Sequence, residues 1–379
     1  MKKIKFGPTL GKKETDSVKK VLRSGILAHG KKVEEFESLL MKYTKSKDAV
    51  AVSSCTAGMH LFYFVNGIGY GDEVIIPSQT HTATAHAIEL TGAKAVFIDC
   101  VLETGNIDIN LIEKKINKKT KAICVVHFIG IPVDMIKIMR LARKYKLKVI
   151  EDCATALGSK IKNKHVGLYG DAGVFSFYPV KHITTAEGGV IILKNKILSK
   201  KLRLARAFGI NRGHLDRKKP GGYECISLGF NYRMSEVHAA IGVNQIKKFK
   251  SFLKIRSKNF FYFRRLFEKE KNIQILESNS KNLINSYYCF QILLKNKVFK
   301  FRDELIFFLK KRGIGTSVYY PKPVPKMKYY KEKYKAVKDQ YKNAEIISKG
   351  SISIPIHPNI NFADINYIYS LIKQFLKKL

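Results

Sequence analysis

Lys181 is the residue whose surroundings in the sequence most favour covalent chemistry. It lies between an apolar run that ends at Ser176 and the pair Gly188-Gly189, in a segment with few other charges. A lysine held away from water has a lowered pKa, and its amine then becomes a nucleophile suited to Schiff-base formation. Because the chain has 70 Lys and Arg residues and most lysines are solvated, the prediction depends on this segment and not on the residue type.

An acidic pair, Glu151-Asp152, ends another apolar run. A buried carboxylate is costly unless a cation or a protonated nitrogen pairs with it. Because side chains alternate along a strand, we expect one of the two to face a site and the other to be solvated or to cap a helix. Magnesium is an alternative partner, but the sequence lacks a second carboxylate cluster to share the ion, and we predict no metal site.

Two more polar segments follow strand-like runs. The first, Ser53 to Ala57, precedes a predicted helix, where backbone N–H groups and the helix dipole favour a phosphate. Ser and Thr at such a position are also ordinary helix caps. The second contains His81, which has no partner at metal-ligand spacing. Its flat ring is suited either to stacking on a flat cofactor or to a structural role.

These segments must be positioned by the elements before them. Short Val- and Ile-rich runs alternate with amphipathic stretches from residue 48 onward, which predicts parallel strands connected by helices. In open α/β sheets ligands bind at the carboxyl ends of the strands, where all four polar segments stand. The predicted strands are Asp48 to Ser54, Glu73 to Ser78, Lys94 to Cys100, Lys121 to His127 and Lys148 to Cys153. The predicted helices are Ala83 to Leu90, Asn110 to Ile116 and Val133 to Tyr145.

Two domains are predicted. Gly173 to Phe177 and Gly189 to Leu193 indicate an antiparallel edge or insertion in the first sheet, and a helix is predicted from Ser235 to Phe249. We predict an α/β fold: a large domain over residues 1–249, with an N-terminal arm and a mostly parallel mixed sheet flanked by helices, and a small C-terminal α/β domain over residues 250–379. The later strand patterns are Tyr287 to Leu294, Gly315 to Tyr320 and Ser351 to Pro355. The later helix patterns are Arg302 to Arg312, Lys342 to Lys349 and Asp364 to Lys378.

The composition limits the class of protein. A net charge of +40 fits nucleic-acid binding, attraction of a phosphorylated substrate, or a compositional bias towards lysine. Because the basic residues are spread along the chain and not interleaved with aromatic residues in one block, we attribute the charge mainly to bias and predict no nucleic-acid partner. The six scattered cysteines include no C-x-x-C pair, and no segment is apolar enough to span a bilayer. We therefore expect a cytoplasmic protein without membrane insertion.

These segments, together with further motifs, resemble one known family. The motifs extend over nearly the whole chain: Arg23 to Gly25, Gly71 to Val74, Val126 to Gly130, Gly229 to Ser235 and Ile354 to Pro358. In this order and spacing they resemble the nucleotide-sugar aminotransferases of the DegT/StrS type, which are fold-type-I pyridoxal-phosphate enzymes. The resemblance implies an aspartate aminotransferase-like fold, pyridoxal 5'-phosphate as cofactor and a homodimer.

The resemblance also implies roles for individual residues. Lys181 corresponds to the Schiff-base lysine and catalytic acid/base, and Asp152 to the partner of the pyridine nitrogen. His81 stands where the family stacks a ring on the cofactor, and Asn231 where the neighbouring subunit supplies a residue. Thr155 stands beside the ring, where many relatives have Gln or His. The expected phosphate-binding residues are Cys55, Thr56 and Ser176.

The implied reaction transfers an amino group from glutamate to a keto sugar carried on a nucleotide, as in deoxyamino sugar biosynthesis for surface polysaccharides or glycans. Because Lys181 is intact, transamination is favoured over the dehydration that relatives with histidine there carry out. A diphosphate suits arginine forks. The substrate-binding residues that we expect are Arg212, Arg217, Arg233 and Tyr320. Two alternatives remain: transfer to a cyclitol-type ketone or an aminobenzoate-type precursor, and a cofactor-binding or nucleic-acid-binding regulator without catalysis.

Overall fold

The computed structural model describes residues 3–211, 219, 222–335 and 340–379. Up to residue 211 the chain forms strands and helices in alternation around one large sheet. The strands are β1 (Asp48–Val52), β2 (Glu73–Pro77), β3 (Lys94–Ile98), β4 (Thr120–Val126), β5 (Lys148–Asp152), β6 (Lys160–Ile161), β7 (Lys164–His165), β8 (Ala172–Ser176) and β9 (Gly189–Leu193). The helices are α1 (Lys12–Ser24), α2 (Lys31–Thr44), α3 (Cys55–Val65), α4 (Thr82–Glu89), α5 (Met135–Lys144) and α6 (Lys196–Arg206).

The large sheet has seven strands in the order β1-β9-β8-β5-β4-β2-β3. The pairs β2–β3, β2–β4, β4–β5 and β5–β8 are parallel, whereas β9 is antiparallel to both of its neighbours, β1 and β8. The predicted mostly parallel mixed sheet is confirmed. Its antiparallel strand lies inside the sheet and not at an edge, because β1 pairs with the far side of β9.

Both faces of this sheet are buried. Val50 and Val52 of β1 enter one apolar cluster, and Ala49 and Ala51 enter another. Strands that are apolar on both faces are typical of a sheet covered by helices on two sides. Polar groups are therefore concentrated at the strand ends, and the carboxyl ends of the parallel strands β2, β4, β5 and β8 lie on the same side of the molecule.

The C-terminal region forms a smaller α/β unit. Its antiparallel sheet has the order β10-β12-β13, and the short strand β11 pairs with β6, so this unit also contacts the first part of the chain. The strands are β10 (Ile273–Ile275), β11 (Leu283–Ile284), β12 (Phe290–Leu294) and β13 (Ser351–Ile354). The helices are α7 (Glu236–Phe267), α8 (Arg302–Lys311), α9 (Lys328–Tyr334), α10 (Lys342–Gly350) and α11 (Phe362–Leu376).

Helix α7 connects the two units without a break. Phe249 packs in a core of the large sheet, whereas Phe260 and Phe263 pack in the C-terminal core. The helix predicted to end at residue 249 is thus longer, because its apolar side chains continue beyond that point into a second core. The domain boundary between residues 249 and 250 stays a prediction.

The predicted helix from Asn110 to Ile116 is wrong. This segment forms two 3-10 turns, Ile109–Leu111 and Glu113–Lys115. Within the predicted range only Ile112 is buried, so the segment has no apolar stripe long enough to hold a regular helix against the sheet.

Two C-terminal strands also differ from the prediction. The segment from Gly315 to Tyr320 is not a strand and has a single bridge, between Ser317 and Ser353; its end lines a cavity and not a neighbouring strand. The strand predicted to start at Tyr287 begins at Phe290, because Tyr287 has a left-handed φ of 53° that interrupts extended backbone.

Candidate active site

A cavity of about 350 Å³ opens at the carboxyl ends of β4, β5 and β8. Its wall combines the start of α3, the end of β5, the turn after β8 and the irregular segment before α9. Neither Asn231 nor Arg233 belongs to the cavity wall within this chain. The residues proposed from the sequence that do line it are Cys55, Thr56, His81, Asp152, Thr155, Ser176, Lys181 and Tyr320.

Lys181 reaches the cavity from the turn that follows β8. Its backbone N–H donates to Tyr178 O at 2.9 Å, and its Nζ lies 5.5 Å from the centre of the Tyr288 ring. Burial lowers the pKa of Lys181, while Cys55 and Asp152 act in the opposite direction. More of its amine is therefore uncharged near neutral pH than in a solvated lysine, as a nucleophile requires.

Asp152 ends β5 with its carboxylate in the cavity wall. It is 4% exposed and accepts hydrogen bonds from Thr84 Oγ1 at 2.8 Å and from the Ala154 N–H at 3.0 Å. Thr84 is bound in turn to the hydroxyl of Thr80, 2.8 Å away. With the residues that the structure describes, Asp152 forms no salt bridge. A buried carboxylate that lacks a cation but faces a cavity fits a protonated ring nitrogen.

Glu151 points away from the cavity and into the protein. It is fully buried, and its carboxylate accepts from the backbone N–H groups of Gly167, Tyr169 and Gly170 at 2.6–2.8 Å. His127 Nε2 lies 3.0 Å from the same carboxylate. Although burial acts to raise the pKa of Glu151, His127 and the backbone donors outweigh it and lower the pKa below its ordinary value.

The expectation that the second carboxylate is solvated or caps a helix is therefore wrong. The reason is the loop after β7, whose N–H groups converge on Glu151 and replace water. His127, Glu151 and Cys153 are close enough together to be considered as metal ligands. Because both Glu151 oxygens already accept two hydrogen bonds each, we assign this cluster a structural role.

The N-terminus of α3 brings backbone N–H groups to the cavity. Ser54 caps this helix and accepts from the Ala57 N–H at 3.0 Å. The first N–H groups of a helix have no acceptor within it, so those of Cys55 and Thr56 are suited to an anion. Ser176, at the end of β8, adds a hydroxyl to the same cavity.

A glycine lets strand β9 pack closely against the start of α3. Strand β9 begins at Gly189, where a Cβ atom would lie only 2.6 Å from the Cys55 backbone nitrogen. The Cys55 thiol turns away from the helix start, with Sγ 3.7 Å from Val174 O. Burial raises the pKa of Cys55 well above its ordinary value, so its contribution here comes from the backbone and not from a thiolate.

Aromatic rings flank the cavity. His81 caps α4, with Nδ1 accepting from the Ala83 N–H at 3.1 Å, and its ring centre lies 5.5 Å from that of Tyr320. Burial and the nearby Lys181 both lower the pKa of His81, which favours the uncharged ring. Stacking of His81 on a cofactor stays a prediction.

Thr155 lines the cavity, and its hydroxyl already donates a hydrogen bond within the protein. Its Oγ1 donates to His127 O at 3.2 Å, and its backbone carbonyl accepts from Ser286 Oγ at 2.7 Å. The hydroxyl therefore offers only its lone pairs to the cavity. Contact with the ring oxygen of the cofactor stays a prediction.

The remaining proposed residues lie elsewhere. Asn231 is exposed and bridges the backbone of Ala207, and the Arg233 guanidinium lies 4.9 Å from the centre of the Phe208 ring. Their segment is tied to the end of β1, because the Ser53 N–H donates to Tyr232 O at 2.8 Å. Two further proposed substrate residues, Arg212 and Arg217, lie outside the described residues.

Three residues of the site were not predicted from the sequence. Thr84 binds Asp152 and stands four residues after Thr80, so the helical spacing of the two hydroxyls was an available signal. Tyr288 lies against Lys181, and Tyr319 lines the cavity. No local pattern marks these two tyrosines, because they come from the C-terminal region and reach the site only through tertiary packing.

The fold and this site together define a class. One cavity combines an amine of lowered pKa, a buried carboxylate without a salt bridge to the described residues, a helix N-terminus and a flat ring. Pyridoxal phosphate presents an aldehyde, a ring nitrogen, a phosphate and a planar ring, so the residues present fit this cofactor. The chain has the architecture and the donor set of a fold-type-I pyridoxal-phosphate enzyme.

Comparison with known proteins supports the same assignment. The model of the DegT/DnrJ/EryC1/StrS aminotransferase family matches residues 8–373. The chain is 35% identical over 370 residues to the UDP-4-amino-4,6-dideoxy-N-acetyl-beta-L-altrosamine transaminase of Campylobacter jejuni, covering 97% of this chain and 95% of that protein. It is 33% identical over 377 residues to the UDP-4-amino-4-deoxy-L-arabinose--oxoglutarate aminotransferase of Shewanella sediminis, covering 97% of each.

A solved structure agrees over the full length. The PLP form of Spr1654 from Streptococcus pneumoniae superimposes with a TM-score of 0.92 at 27% identity, covering 100% of this chain and 99% of that one. The chain therefore belongs to the DegT/DnrJ/EryC1/StrS aminotransferase family. The predicted family, enzyme class and cofactor are confirmed.

Proposed function

We propose that this protein transfers an amino group from glutamate to the ketone of a sugar linked to a nucleoside diphosphate. The observation that carries the proposal is the meeting of Lys181 and Asp152 in one cavity that also receives the N-terminus of α3. A binding protein does not need an amine of lowered pKa in the same cavity as a buried carboxylate, whereas proton transfer does. The regulator alternative therefore has no support from the site.

The residues have separate tasks in this reaction. Pyridoxal phosphate, when bound, supplies an electron-withdrawing ring that stabilises negative charge at the substrate carbon. Asp152, oriented by Thr84, holds a proton on the ring nitrogen, and Lys181 Nζ takes up and returns the proton at the substrate carbon. Cys55, Thr56 and Ser176 bind the phosphate, His81 covers one ring face, and Thr155 accepts beside the ring.

The substrates are proposed from the relatives. The Campylobacter enzyme acts on a UDP-linked amino sugar, and the name of the Shewanella enzyme pairs such a sugar with oxoglutarate, the keto acid that glutamate leaves behind. Transfer to the same kind of sugar by this chain fits deoxyamino sugar biosynthesis for a surface polysaccharide or glycan. Arg212, Arg217, Arg233 and Tyr320 are the residues we propose for the nucleotide sugar.

A homodimer is supported by an exposed apolar patch beside Asn231. Phe208, Ile226 and Leu228 are all exposed, and the backbones of residues 207 and 231 are bridged beside them. Exposed apolar side chains grouped in this way are typical of a protein interface. We propose that a second copy covers this patch and that Asn231 reaches the cofactor site of the partner subunit.

Two further assignments are proposed with the function. We place the boundary between the large cofactor-binding domain and the small C-terminal domain at residues 249 and 250.

We place the protein in the cytoplasm, because all six cysteines are free and five of them are buried, which suits a reducing compartment. None of the described helices has the length and apolarity to cross a bilayer.

The experiment that tests the proposal is a product assay with a panel of acceptors. The purified protein, loaded with pyridoxal phosphate and supplied with glutamate, is incubated with UDP-linked keto sugars and with cyclitol ketones, and the products are identified by mass spectrometry. We expect an amino sugar nucleotide together with 2-oxoglutarate. If only the cyclitols are aminated, the acceptor is a cyclitol-type ketone and not a nucleotide sugar. If none of the ketones is aminated, the proposed function is wrong.

A further inference from the structure

Arg256 is a buried cation behind the C-terminal wall of the cavity. It is 4% exposed, its Nε has no hydrogen-bond partner, and it forms no salt bridge with the carboxylates that the structure describes. Its Nη1 donates to Tyr288 O at 2.9 Å. Burying a charge without a counter-ion is strongly unfavourable, and such costs are concentrated at functional sites.

Arg256 lies behind two hydrogen-bonded tyrosines, Tyr288 and Tyr319, of which Tyr319 lines the cavity. The hydroxyl oxygens of Tyr288 and Tyr319 are 2.9 Å apart, so the two phenols are hydrogen-bonded. A phenol has one donor and two acceptor positions. When Tyr288 donates, the O–H of Tyr319 remains available to a group in the cavity that Tyr319 lines.

The position of Tyr319 is fixed from two sides. Gln79 Nε2 donates to Tyr319 O at 3.0 Å, and Gln79 is held by Ser348 Oγ at 3.2 Å. On the other side, Ser317 forms a bridge to Ser353 at the end of the C-terminal sheet. The backbone of Tyr319 is thus held by these contacts and its hydroxyl by Tyr288, so the donor is positioned before any substrate enters, as catalysis requires.

We propose that Tyr319 is a second catalytic residue, which hydrogen-bonds the ketone oxygen of the acceptor and protonates this oxygen as it leaves. Tyr288 and Arg256 are positioning residues for Tyr319. The inference rests on the proposed transfer to a ketone. It extends that proposal, because it assigns protonation of the leaving ketone oxygen to a side chain other than Lys181.

The proton balance of this step is closed. A bond forms between the amino nitrogen and the ketone carbon, and the carbon–oxygen bond breaks with its electrons remaining on oxygen. The oxygen leaves as water with one proton from Tyr319 and one that Lys181 has taken from the amino nitrogen. The remaining nitrogen proton then restores Tyr319, and no oxidant or reductant is needed.

The acidity of Tyr319 is compatible with this task. The titratable groups that face it are Tyr288, Cys289, Tyr320 and Arg256. Burial raises the pKa of Tyr319 to about 12, while the neighbouring Tyr288 and Ser317 side chains and the charge of Arg256 act downwards. A phenol of this acidity is still a much stronger acid than water, whose pKa is about 15.7.

Tyr319→Phe removes the hydroxyl and keeps the ring. We expect kcat with the keto sugar to fall by about 100-fold, whereas Tyr145→Phe, an exposed tyrosine outside the cavity, leaves kcat unchanged. Titration calorimetry of the cofactor-free protein with the keto sugar should show about 2- to 10-fold weaker binding for Tyr319→Phe, the loss of one hydrogen bond. The binding measurement does not depend on turnover.

A pH profile separates acid catalysis from packing. A polyfluorinated tyrosine at position 319 keeps the ring and the hydroxyl but is more acidic, so we expect its rate to fall at an alkaline pH where the unmodified protein is unaffected. Arg256→Met should lower kcat, and Arg256→Lys, which keeps the charge, should restore part of it.

The outcomes are distinct. The role of Tyr319 is overturned when Tyr319→Phe retains kcat within about threefold of wild type, below the 10²-fold expected of an acid, or when the fluorinated protein has the wild-type pH profile. Absence of product from the wild type with every nucleotide keto sugar removes the proposed function itself, and the role with it. An active wild type with an insensitive Tyr319→Phe removes the role of Tyr319 alone.

Discussion

The two sides of the cavity hold their chemical groups in different ways. On the sheet side, Asp152 and Lys181 come directly from a strand end and the turn after a strand, and each faces the cavity itself. On the C-terminal side, Tyr319 faces the cavity and is supported by Tyr288 and the buried Arg256. The sheet side thus places ionisable groups at the cavity itself, whereas on the C-terminal side the charged Arg256 lies behind the tyrosines and not at the cavity.

The largest expected effect is on the sheet side. Lys181→Ala should lower kcat by about 10⁴-fold or more, because it removes both the covalent attachment and the proton carrier. The protein should also lose the visible absorbance of the bound cofactor while its thermal unfolding remains cooperative. Lys137→Ala, which removes an exposed lysine, is the control. Normal transamination by Lys181→Ala would show that the nucleophile lies elsewhere.

Asp152→Asn should produce the next largest effect. The amide keeps the shape and can still accept from Thr84 and Ala154, but it no longer holds a proton on the ring nitrogen, so we expect kcat to fall by about 10²-fold or more. Cofactor binding should persist, and its absorbance spectrum reports this directly. An Asp152→Asn protein with wild-type kcat would place the partner of the ring nitrogen on another residue.

Recognition of the nucleotide is expected to contribute less than either group. Charge-assisted hydrogen bonds contribute about 1.5–3 kcal/mol each, so kcat/KM for a nucleotide keto sugar should exceed that for the same sugar without its nucleotide by at least about tenfold. The advantage should shrink with added salt, because Arg–phosphate attraction is screened. The measurement is made at a low and a high salt concentration. Equal kcat/KM values for the sugar with and without its nucleotide, at both concentrations, would favour a cyclitol-type acceptor.

A mixture of two inactive variants tests whether each cavity needs residues from both subunits of a dimer. Neither Lys181→Ala nor Asn231→Asp should be active alone, but an equal mixture that exchanges subunits should regain about one quarter of wild-type activity, since half of the dimers contain one intact site of two. Exchange is verified by native mass spectrometry. When subunits exchange and no activity returns, Asn231 acts within its own chain or has no role at the cofactor.

The same difference between the two sides of the cavity decided which parts of the site could be predicted from the sequence. The parallel strands and the polar residues at their ends follow local patterns, so the mostly parallel sheet and the placement of Lys181, Asp152 and the start of α3 could be predicted. Tyr320 of the C-terminal wall was among the expected substrate-binding residues and does line the cavity. Tyr288 and Tyr319 could not be predicted, because they reach the site through backbone that departs from regular structure. Tyr287 interrupts the predicted strand before Phe290, and the segment from Gly315 to Tyr320 forms a single bridge.

Glu151 gives the sharpest contrast with Asp152: the two carboxylates are consecutive in the chain, but Asp152 lines the cavity and Glu151 is buried in the protein. Glu151→Gln should change kcat within about threefold, below the 10²-fold expected for Asp152→Asn. It should lower the free energy of unfolding by about 2 kcal/mol, through the loss of charge-assisted hydrogen bonds from three backbone N–H groups and His127.

The pH dependence of Glu151→Gln distinguishes lost charge from lost packing. The pKa of Glu151 in the folded protein lies below its ordinary value of 4.5, so the unfolded chain binds its proton first as the pH falls. The stabilisation by Glu151 is therefore complete above pH 4.5 and is lost as the pH falls through the lowered folded-state pKa. We expect wild type and Glu151→Gln to differ most near neutral pH in urea unfolding and to converge in acid, whereas a difference that is constant with pH would mean that packing, and not the charge, is responsible.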